Sequence, residues 1–307
     1  MGYKMKLILA NNQTDRFRAF YDDLRQQSEV PFDYVGYESL VFIFDNDAPK
    51  PITVKITNSE HSLHDYDGVY LNGYLDTYEL AATTAICCES LGINFANREL
   101  ASPASLSKLT GYAKLIVAGV RIPKTVAGSK TALLQAREHI ESLSFPLILK
   151  RADADRGIDN FKVESFEEIT ELLATHPPRS LWISQEYVEN DGFYLMSFYS
   201  QKPAFCIFRS LEARPDNDRR KAHMFKPKGG ANAHLIPLEE VPDPIRDMCQ
   251  KSMLAMNRQI GSVDCLYDPA TGLAHILEVN YNPQLVTIET FRDTRIAAFL
   301  EGIKDIN

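Results

Sequence analysis

Gly261-Ser-Val-Asp-Cys-Leu-Tyr267, the turn Asp268-Pro-Ala-Thr-Gly272, and Leu273-Ala-His-Ile-Leu-Glu-Val-Asn-Tyr-Asn-Pro283 make up the most informative stretch of this chain. Two apolar runs flank a proline, which sets the bend, and a glycine, which accepts the left-handed position. The stretch therefore reads as a β-hairpin. Side chains alternate along a strand, so Glu278 and Asn280 share one face. Pairing Asp268 with Ala274 across a five-residue loop sets Asp264 directly opposite Glu278, with Cβ atoms about 5 Å apart. Val263, Leu266, Ile276, Leu277 and Val279 surround these carboxylates, and two like charges in such surroundings repel unless a proton or a cation lies between them. Oxygen ligands without cysteine or histidine suit Mg²⁺ or Mn²⁺ rather than zinc. Acids are equally at home on a solvated hairpin face, so this segment alone leaves both readings open.

Three other segments carry chemistry. Ser144-Phe-Pro-Leu-Ile-Leu-Lys150 is an apolar strand closed by a lysine, and the loop Arg151-Ala-Asp-Ala-Asp-Arg-Gly157 follows it. A lysine point charge beside loop amides suits polyphosphate, although a snorkelling edge lysine gives the same pattern. Ile183-Ser-Gln-Glu-Tyr-Val188 leaves an apolar environment for Glu189-Asn-Asp-Gly192. Such an exit offers backbone hydrogen bonds to a nucleobase and an acid to ribose, or is simply where a strand stops. Arg209, Arg214, Arg219, Arg220, Lys221, His223, Lys226 and Lys228 cluster before Gly229-Gly230. In an acidic protein this cluster either neutralises an anion or forms a solvated loop.

The chain has 307 residues, which suggests about two domains. Its 45% hydrophobic and 24% charged composition is that of an ordinary globular protein. No apolar run approaches the ~20 residues of a bilayer span. A net charge of −8 argues against a protein held on nucleic acid by phosphate contacts. Neither nucleic acid nor membrane is an expected partner. MGYKMKLILANN is too short in its apolar part for a signal-peptide core, and Lys6 stands where a myristoylation motif needs Ser or Thr. Cys87, Cys88, Cys206, Cys249 and Cys265 fit no zinc spacing, so reduced thiols and a cytoplasmic location are expected. No Walker A, G-x-G-x-x-G or G-x-S-x-G motif occurs.

Strands at 6–10, 34–44, 52–56 and 68–72 alternate with helices at about 15–27 and 76–91, the second closed by Gly92. That alternation predicts a parallel α/β sheet in roughly the first hundred residues. After a boundary near Ser102–Ser105 come helices at about 106–118 and 132–143, with a strand near 121–126 between them. Closely spaced strands follow at 147–150, 161–163, 181–188, 193–199 and 204–211, interrupted by a helix near 165–174. Helices near 243–259 and 286–302 flank the final hairpin. This later part reads as α+β with antiparallel strands.

The signals occur in a telling order: an apolar strand ending in lysine, a glycine loop, Gln185-Glu-Tyr-Val188, Arg209, Gly229-Gly230, Ser262-Val-Asp264, and Leu277-Glu-Val-Asn-Tyr-Asn-Pro283. That order resembles the ATP-grasp superfamily, most closely its RimK-like branch of ribosomal-protein glutamate ligases and peptide ligases. The resemblance covers about two-thirds of the chain and is strongest at its end. It implies a pre-ATP-grasp α/β domain at 1–102, a central lobe at 103–188 and a C-terminal lobe with the metal site at 189–307, with nucleotide between the two lobes. It further implies an ATP-dependent carboxylate–amine ligase that works through an acyl phosphate and adds an amino acid to, or crosslinks, a peptide or protein.

Residue by residue, the resemblance matches Asp264, Glu278 and Asn280 to the family's magnesium ligands. Lys108, in Ser-Lys-Leu where the family often has Asp-Lys-Leu, and Lys150 match its nucleotide-contacting lysines. Glu186, Tyr187 and Val188 match the hinge beside adenine, and Arg209 an arginine near the transferred phosphate. ATP and Mg²⁺, or Mn²⁺, are the implied cofactors, and relatives often form oligomers. The basic tract suits an acidic substrate.

Three departures stand out. The loop carries only Gly157 where the family has several glycines, with Arg156 expected to compensate. Tyr194-Leu-Met196 replaces the branch's Asp-x-Arg, which leaves Asp191 for ribose. Met224-Phe-Lys-Pro-Lys-Gly-Gly230 replaces Asn-x-x-Arg-Gly-Gly, so Lys228 stands for the arginine, with Asn282 also on the substrate side. These departures motivate a rival reading, a non-catalytic ATP-binding module serving regulation or assembly. The intact Asp264, Glu278 and Asn280 set speaks against it.

Overall fold

The computed structural model of the chain describes residues 5–10, 15–44, 51–57, 59–73, 77–102, 108–152, 154, 159–210, 233–281 and 292–306. The first part contains β1 (Lys6–Ala10), α1 (Asp15–Gln27), β2 (Phe32–Gly36), β3 (Leu40–Phe44), β4 (Ile52–Ile56), β5 (Gly68–Leu71), α2 (Tyr78–Leu91) and β6 (Asn94–Ala96). Four of these strands form a parallel sheet in the order β2-β1-β5-β6. Leu7, Ile8 and Leu9 are all fully buried. Ile8 packs among Phe20, Tyr21 and Leu24 of α1, while Leu7 and Leu9 pack among Ala81, Ala85 and Cys88 of α2. Cover on both faces explains why this strand is continuously apolar rather than alternating. Gly92 ends α2 at φ 66°, and its N–H donates to the Cys88 and Glu89 carbonyls.

The single strand expected over 34–44 is two strands. A 3₁₀ turn at Tyr37–Ser39 breaks it, delivering the fully buried Tyr37 to the core around α2. β3 then leaves the parallel sheet and pairs antiparallel with β4.

The second part contains α3 (Lys108–Val117), β7 (Thr125–Ser129), α4 (Lys130–Gln135), α5 (Arg137–Glu141), β8 (Leu147–Arg151), β9 (Asn160–Val163), α6 (Phe166–Leu173) and β10 (Leu181–Glu186). Its sheet is antiparallel, in the order β7-β10-β8-β9, and buries Leu147, Leu149 and Trp182 against Leu133, Ile140 and Ile169 of the helices. β7 lies later than the strand expected near 121–126. Ser129 accepts from the Ala132 N–H as an N-cap, which ends the strand and starts α4. The helix expected over 132–143 is broken at Ala136, which takes φ −93° and ψ 30°.

The third part contains β11 (Gly192–Tyr199), β12 (Lys202–Ser210), β13 (Ala233–Ile236), α7 (Asp243–Ala255), β14 (Gly261–Asp268), β15 (Leu273–Asn280) and α8 (Arg292–Lys304). All five strands are antiparallel, in the order β13-β12-β11-β14-β15. Met196, Phe198, Cys206, Val263, Cys265 and Ile276 form one face, packed on Ile245, Cys249 and Met253 of α7. Asp264, between Val263 and Cys265, therefore projects from the opposite face, and its cross-strand partner Glu278 lies on that face too. α7 stops at Ala255 rather than near 259, because residues 258–260 dock against Asn97–Glu99 instead of continuing the helix. Neither β6 nor β13 is among the expected strands.

Among the described residues no helix is long and apolar enough to cross a membrane. All five cysteines are buried and free.

Candidate functional site

β14 and β15 pair Ser262 with Asn280 and Asp264 with Glu278, as the alternation predicts, but by a different route. At the tip, Asp268 pairs with Leu273 and not with Ala274. The Asp268 carbonyl accepts from Gly272 at 2.8 Å, while its carboxylate accepts from the Ala270 N–H at 2.9 Å and the Thr271 hydroxyl at 2.6 Å. Those bonds, with Gly272 at φ 69°, tighten the turn by one residue. The register then slips between Cys265, which pairs with Ile276, and Asp264, leaving Leu277 unpaired as a β-bulge. The bulge restores the residue that the turn removed, and the two carboxylates meet across the strands.

Asp264 is the most perturbed acid of the face. Burial, then the charge of Glu278, push its pKa up to about 7, against opposing help from Arg209 and from Asn280. The Asn280 amide donates to Asp264 Oδ2 at 3.3 Å, whereas Oδ1 is enclosed and has no hydrogen-bond partner among the described residues. Arg209, only 8% exposed, sits two strands away on β12 opposite Phe193, and its guanidinium stands 5.7 Å from that ring centroid. Burial lowers its pKa and Asp264 partly restores it. The Lys108 ammonium lies 3.4 Å from Glu278 Oε1 and donates to the Ala154 carbonyl at 2.6 Å. The first turn of α3, the segment after β8 and the final hairpin thus meet at one lysine.

Lys150 reaches the same region from β8. Its ammonium donates to Gln185 Oε1 at 2.9 Å and stands 5.3 Å from the centre of the Tyr112 ring. The Tyr112 hydroxyl donates to the carbonyl of Leu277, the bulge residue, at 2.9 Å. Gln185 is fixed in turn by donating to Thr125 Oγ1 at 2.8 Å. Beyond it, β10 ends at Glu186, whose N–H donates to the Lys124 carbonyl at 2.9 Å. Tyr187 lies under the Lys162 ammonium at 3.9 Å, and Val188 packs with Phe193, Leu195, Leu266 and Leu277 in an apolar cluster. Asp191 is exposed at the start of β11.

The structure thus draws Lys108, Arg209, Asp264, Glu278 and Asn280 together and connects Lys150 to them through Tyr112. Glu186, Tyr187, Val188 and Asp191 follow one another along the strand exit beside the apolar cluster. Arg156, Gly157, Lys228 and Asn282 lie outside the described residues. Tyr112 and Gln185 were not singled out as site residues from the sequence. Gln185 sits within the quoted strand, and its alternation with Glu186 was the available signal.

Two carboxylates and an amide on adjacent strands form an all-oxygen donor set, once the Asn280 amide turns its oxygen inward. The partnerless Oδ1 of Asp264 and the mutual repulsion of the two acids are what a hard divalent cation relieves. The residues therefore fit Mg²⁺ or Mn²⁺.

A scan of protein families finds no match to this sequence, and a search of curated proteins finds none either. Solved structures do match, at low identity. A RiPP-associated ATP-grasp ligase of Chryseobacterium gregarium, solved with ADP and a leader and core peptide, aligns with a TM-score of 0.66 at 14% identity, over 96% of this chain and 95% of that one. D-alanine–D-alanine ligase of Bacillus anthracis complexed with ATP gives 0.62 at 15%, over 99% and 95%. A RimK-domain ATP-grasp protein of Sphaerobacter thermophilus gives 0.60 at 14%, over 98% of each chain. The fold of this chain is the ATP-grasp fold, along nearly its whole length.

Proposed function

We propose that this protein is an ATP- and Mg²⁺-dependent carboxylate–amine ligase that forms a peptide-like amide through an acyl phosphate. The observation that carries the reading is the Asp264–Glu278 cross-strand pair, with Asn280 bonded to Asp264 and Lys108 at 3.4 Å from Glu278. The likeness to ATP-grasp ligases solved with ATP or ADP supports it.

In this reading the nucleotide lies between the lobes 103–188 and 189–307, and residues 1–102 form the pre-ATP-grasp domain. The adenine rests on the apolar cluster around Val188 and Leu277, beside Glu186 and Tyr187, with Asp191 near the ribose. Lys150 and Lys108 set positive charge along the phosphates, and Arg156 and Gly157 are the loop residues assigned to the nucleotide. Arg209 faces the charge that develops on the transferred phosphoryl group. The divalent ion, held by Asp264, Glu278 and Asn280, would neutralise phosphate charge. The chain's own residues then have to hold the substrate carboxylate in line with the terminal phosphate and keep water out. The amine's attack on the acyl phosphate follows from proximity of two bound reactants and needs no protein nucleophile.

The acceptor is an amino acid joined to, or a crosslink within, a peptide or protein. The structurally similar ligase solved with a leader and core peptide supports that choice, and Lys228 and Asn282 are the residues assigned to the substrate side. The test is release of ADP and phosphate from ATP and Mg²⁺ across a panel of amino acids and acidic peptides. Turnover that depends on a carboxylate substrate, and that disappears in Glu278→Ala, supports the ligase. ATP binding without turnover on any substrate, with Glu278→Ala altering affinity alone, refutes it in favour of a non-catalytic nucleotide module.

A further inference from the structure

Where β15 ends, a buried ion pair joins two distant parts of the chain. Arg258, in the link between α7 and β14, donates from Nε to Glu99 Oε1, and both side chains are 1% exposed. Glu99 belongs to the 3₁₀ turn Arg98–Ala101 that follows β6, so it is anchored to the parallel-sheet part. The same guanidinium donates from Nη1 to the Val279 carbonyl at 2.5 Å and lies 3.5 Å from the Tyr281 ring centroid. Val279 and Tyr281 are the two neighbours of Asn280.

Other contacts fasten the same corner. Gln259 Oε1 accepts from the N–H groups of Asn97 and Arg98 at 2.8 and 3.0 Å, and Asn97 Oδ1 accepts from the Ile260 N–H at 3.2 Å. Tyr78 meets the Tyr281 ring edge-on at 5.6 Å between centroids, and the Tyr70 hydroxyl donates to the Tyr281 carbonyl at 3.4 Å. All of Asn97, Glu99, Tyr70 and Tyr78 come from the parallel-sheet part.

Stability alone is a poor reason for such a pair. Burying both charges costs several kcal/mol each in lost hydration, and a well-packed apolar pair commonly does as well. What the guanidinium supplies, and an apolar side chain does not, is direction. Its planar fork addresses a carboxylate and a backbone carbonyl at fixed angles while its face lies on a ring. We infer that Glu99 and Arg258 are positioning residues of the divalent-ion site: through Val279 and Tyr281 they hold the strand end that presents Glu278 and Asn280, and so tie that site to the parallel-sheet part of the molecule. The inference rests on the reading of Asp264, Glu278 and Asn280 as ion ligands.

The test measures Mn²⁺ affinity by electron paramagnetic resonance, with ADP present, for the intact protein and for Glu99→Gln and Arg258→Lys. Glu99→Gln keeps shape and removes charge. Arg258→Lys keeps charge and loses the fork. Each should weaken Mn²⁺ binding about tenfold or more, as outer-shell changes at metal sites do, while ADP affinity measured without metal stays within twofold of the unsubstituted protein. Unchanged Mn²⁺ affinity in folded variants overturns the inference. Hydrogen exchange of the unsubstituted protein tests it without any substitution. Mn²⁺ with ADP should protect the Arg98–Ala101 turn together with residues 279–281, and protection confined to the hairpin overturns it. If the unsubstituted protein binds no Mn²⁺ with ADP, the ligand assignment itself is what has failed.

Discussion

The Tyr112 hydroxyl holds the Leu277 carbonyl at 2.9 Å, so α3 clasps β15 at the bulge that brings Glu278 opposite Asp264. The same ring lies 5.3 Å from the Lys150 ammonium. One side chain therefore touches both the lysine of the central sheet and the backbone beside the acid pair. Tyr112→Phe keeps the ring and removes the donor, at a cost of about 1 kcal/mol. If that loss falls on the transition state, kcat/KM for ATP turnover drops about fivefold, with melting temperature nearly unchanged. Steady-state kinetics beside a thermal melt checks this. A drop in stability with unchanged kinetics would make Tyr112 a packing residue only.

Gly261 stands where strand β14 begins, and a side chain there meets the site directly. An added Cβ falls 2.5 Å from the Asn280 carbonyl oxygen and 2.8 Å from Arg258 Cδ. The first of these is backbone and cannot rotate away, so Gly261→Ala must shift β15. Overpacking of this kind costs about 1–3 kcal/mol. Gly272→Ala provides the contrast. Its Cβ would enter open space, but φ 69° is left-handed, which costs about 1–2 kcal/mol in strain. Both variants should lower the urea midpoint, while only Gly261→Ala should weaken Mn²⁺ binding. Equal Mn²⁺ affinities would mean that the end of β15 absorbs the shift.

The acid pair was legible in the sequence because alternation assigns faces and a proline–glycine turn fixes where a hairpin folds back. Its route was not. Nothing in Leu277 distinguishes a bulge residue from an apolar strand residue, and the tightened turn depends on Asp268 bonding to its own loop. The two departures compensate, which is why Asp264 still meets Glu278. Gly36 alone gave too weak a signal to divide residues 34–44, and the break becomes intelligible only when Tyr37 is seen buried beside α2. Arg258 falls inside the helix expected near 243–259, yet it lies beyond the end of α7. Its partner Glu99 lies 159 positions away, and no local pattern pairs residues across that distance. Order along the chain carried the fold, whereas the clasp around the site is made by long-range contacts with no period.

Burial makes the protein sensitive to alkali. Burial pushes the Cys206 thiol from its ordinary 9.0 up to about 12, and raises Cys88 and Cys249 as well. Tyr21, Tyr70 and Tyr199 are raised above 10.0 by the same cause. In the unfolded chain these groups ionise near their ordinary values, so above those values the unfolded state binds fewer protons than the folded one. Stability is then complete below about pH 9 and falls as pH rises through the interval up to the folded values. Urea midpoints from pH 8 to 11 should decline most steeply past pH 9, and a thiol reagent at pH 8 should modify the folded protein slowly and the unfolded protein at all five cysteines. Rapid labelling of the folded protein would contradict the burial.

Lys150 separates charge from packing at the proposed nucleotide site. Its ammonium is held by Gln185 Oε1 at 2.9 Å, and Gln185 is itself held by Thr125 Oγ1 at 2.8 Å, so the charge is fixed by a chain of neutral groups with no acid in it. Among the described residues no acid pairs with the Lys150 ammonium, which leaves its charge available to a polyphosphate. Lys150→Met keeps most of the stem, so ATP affinity should fall about tenfold or more, equivalent to ~1.4 kcal/mol, while the melting temperature holds. Gln185→Leu leaves the ammonium charged but untethered, and should weaken ATP binding less than Lys150→Met does. Calorimetric titration of ATP into the three proteins gives the order directly. An unchanged affinity in Lys150→Met would place the phosphates elsewhere and leave Lys150 as a strand residue over Tyr112.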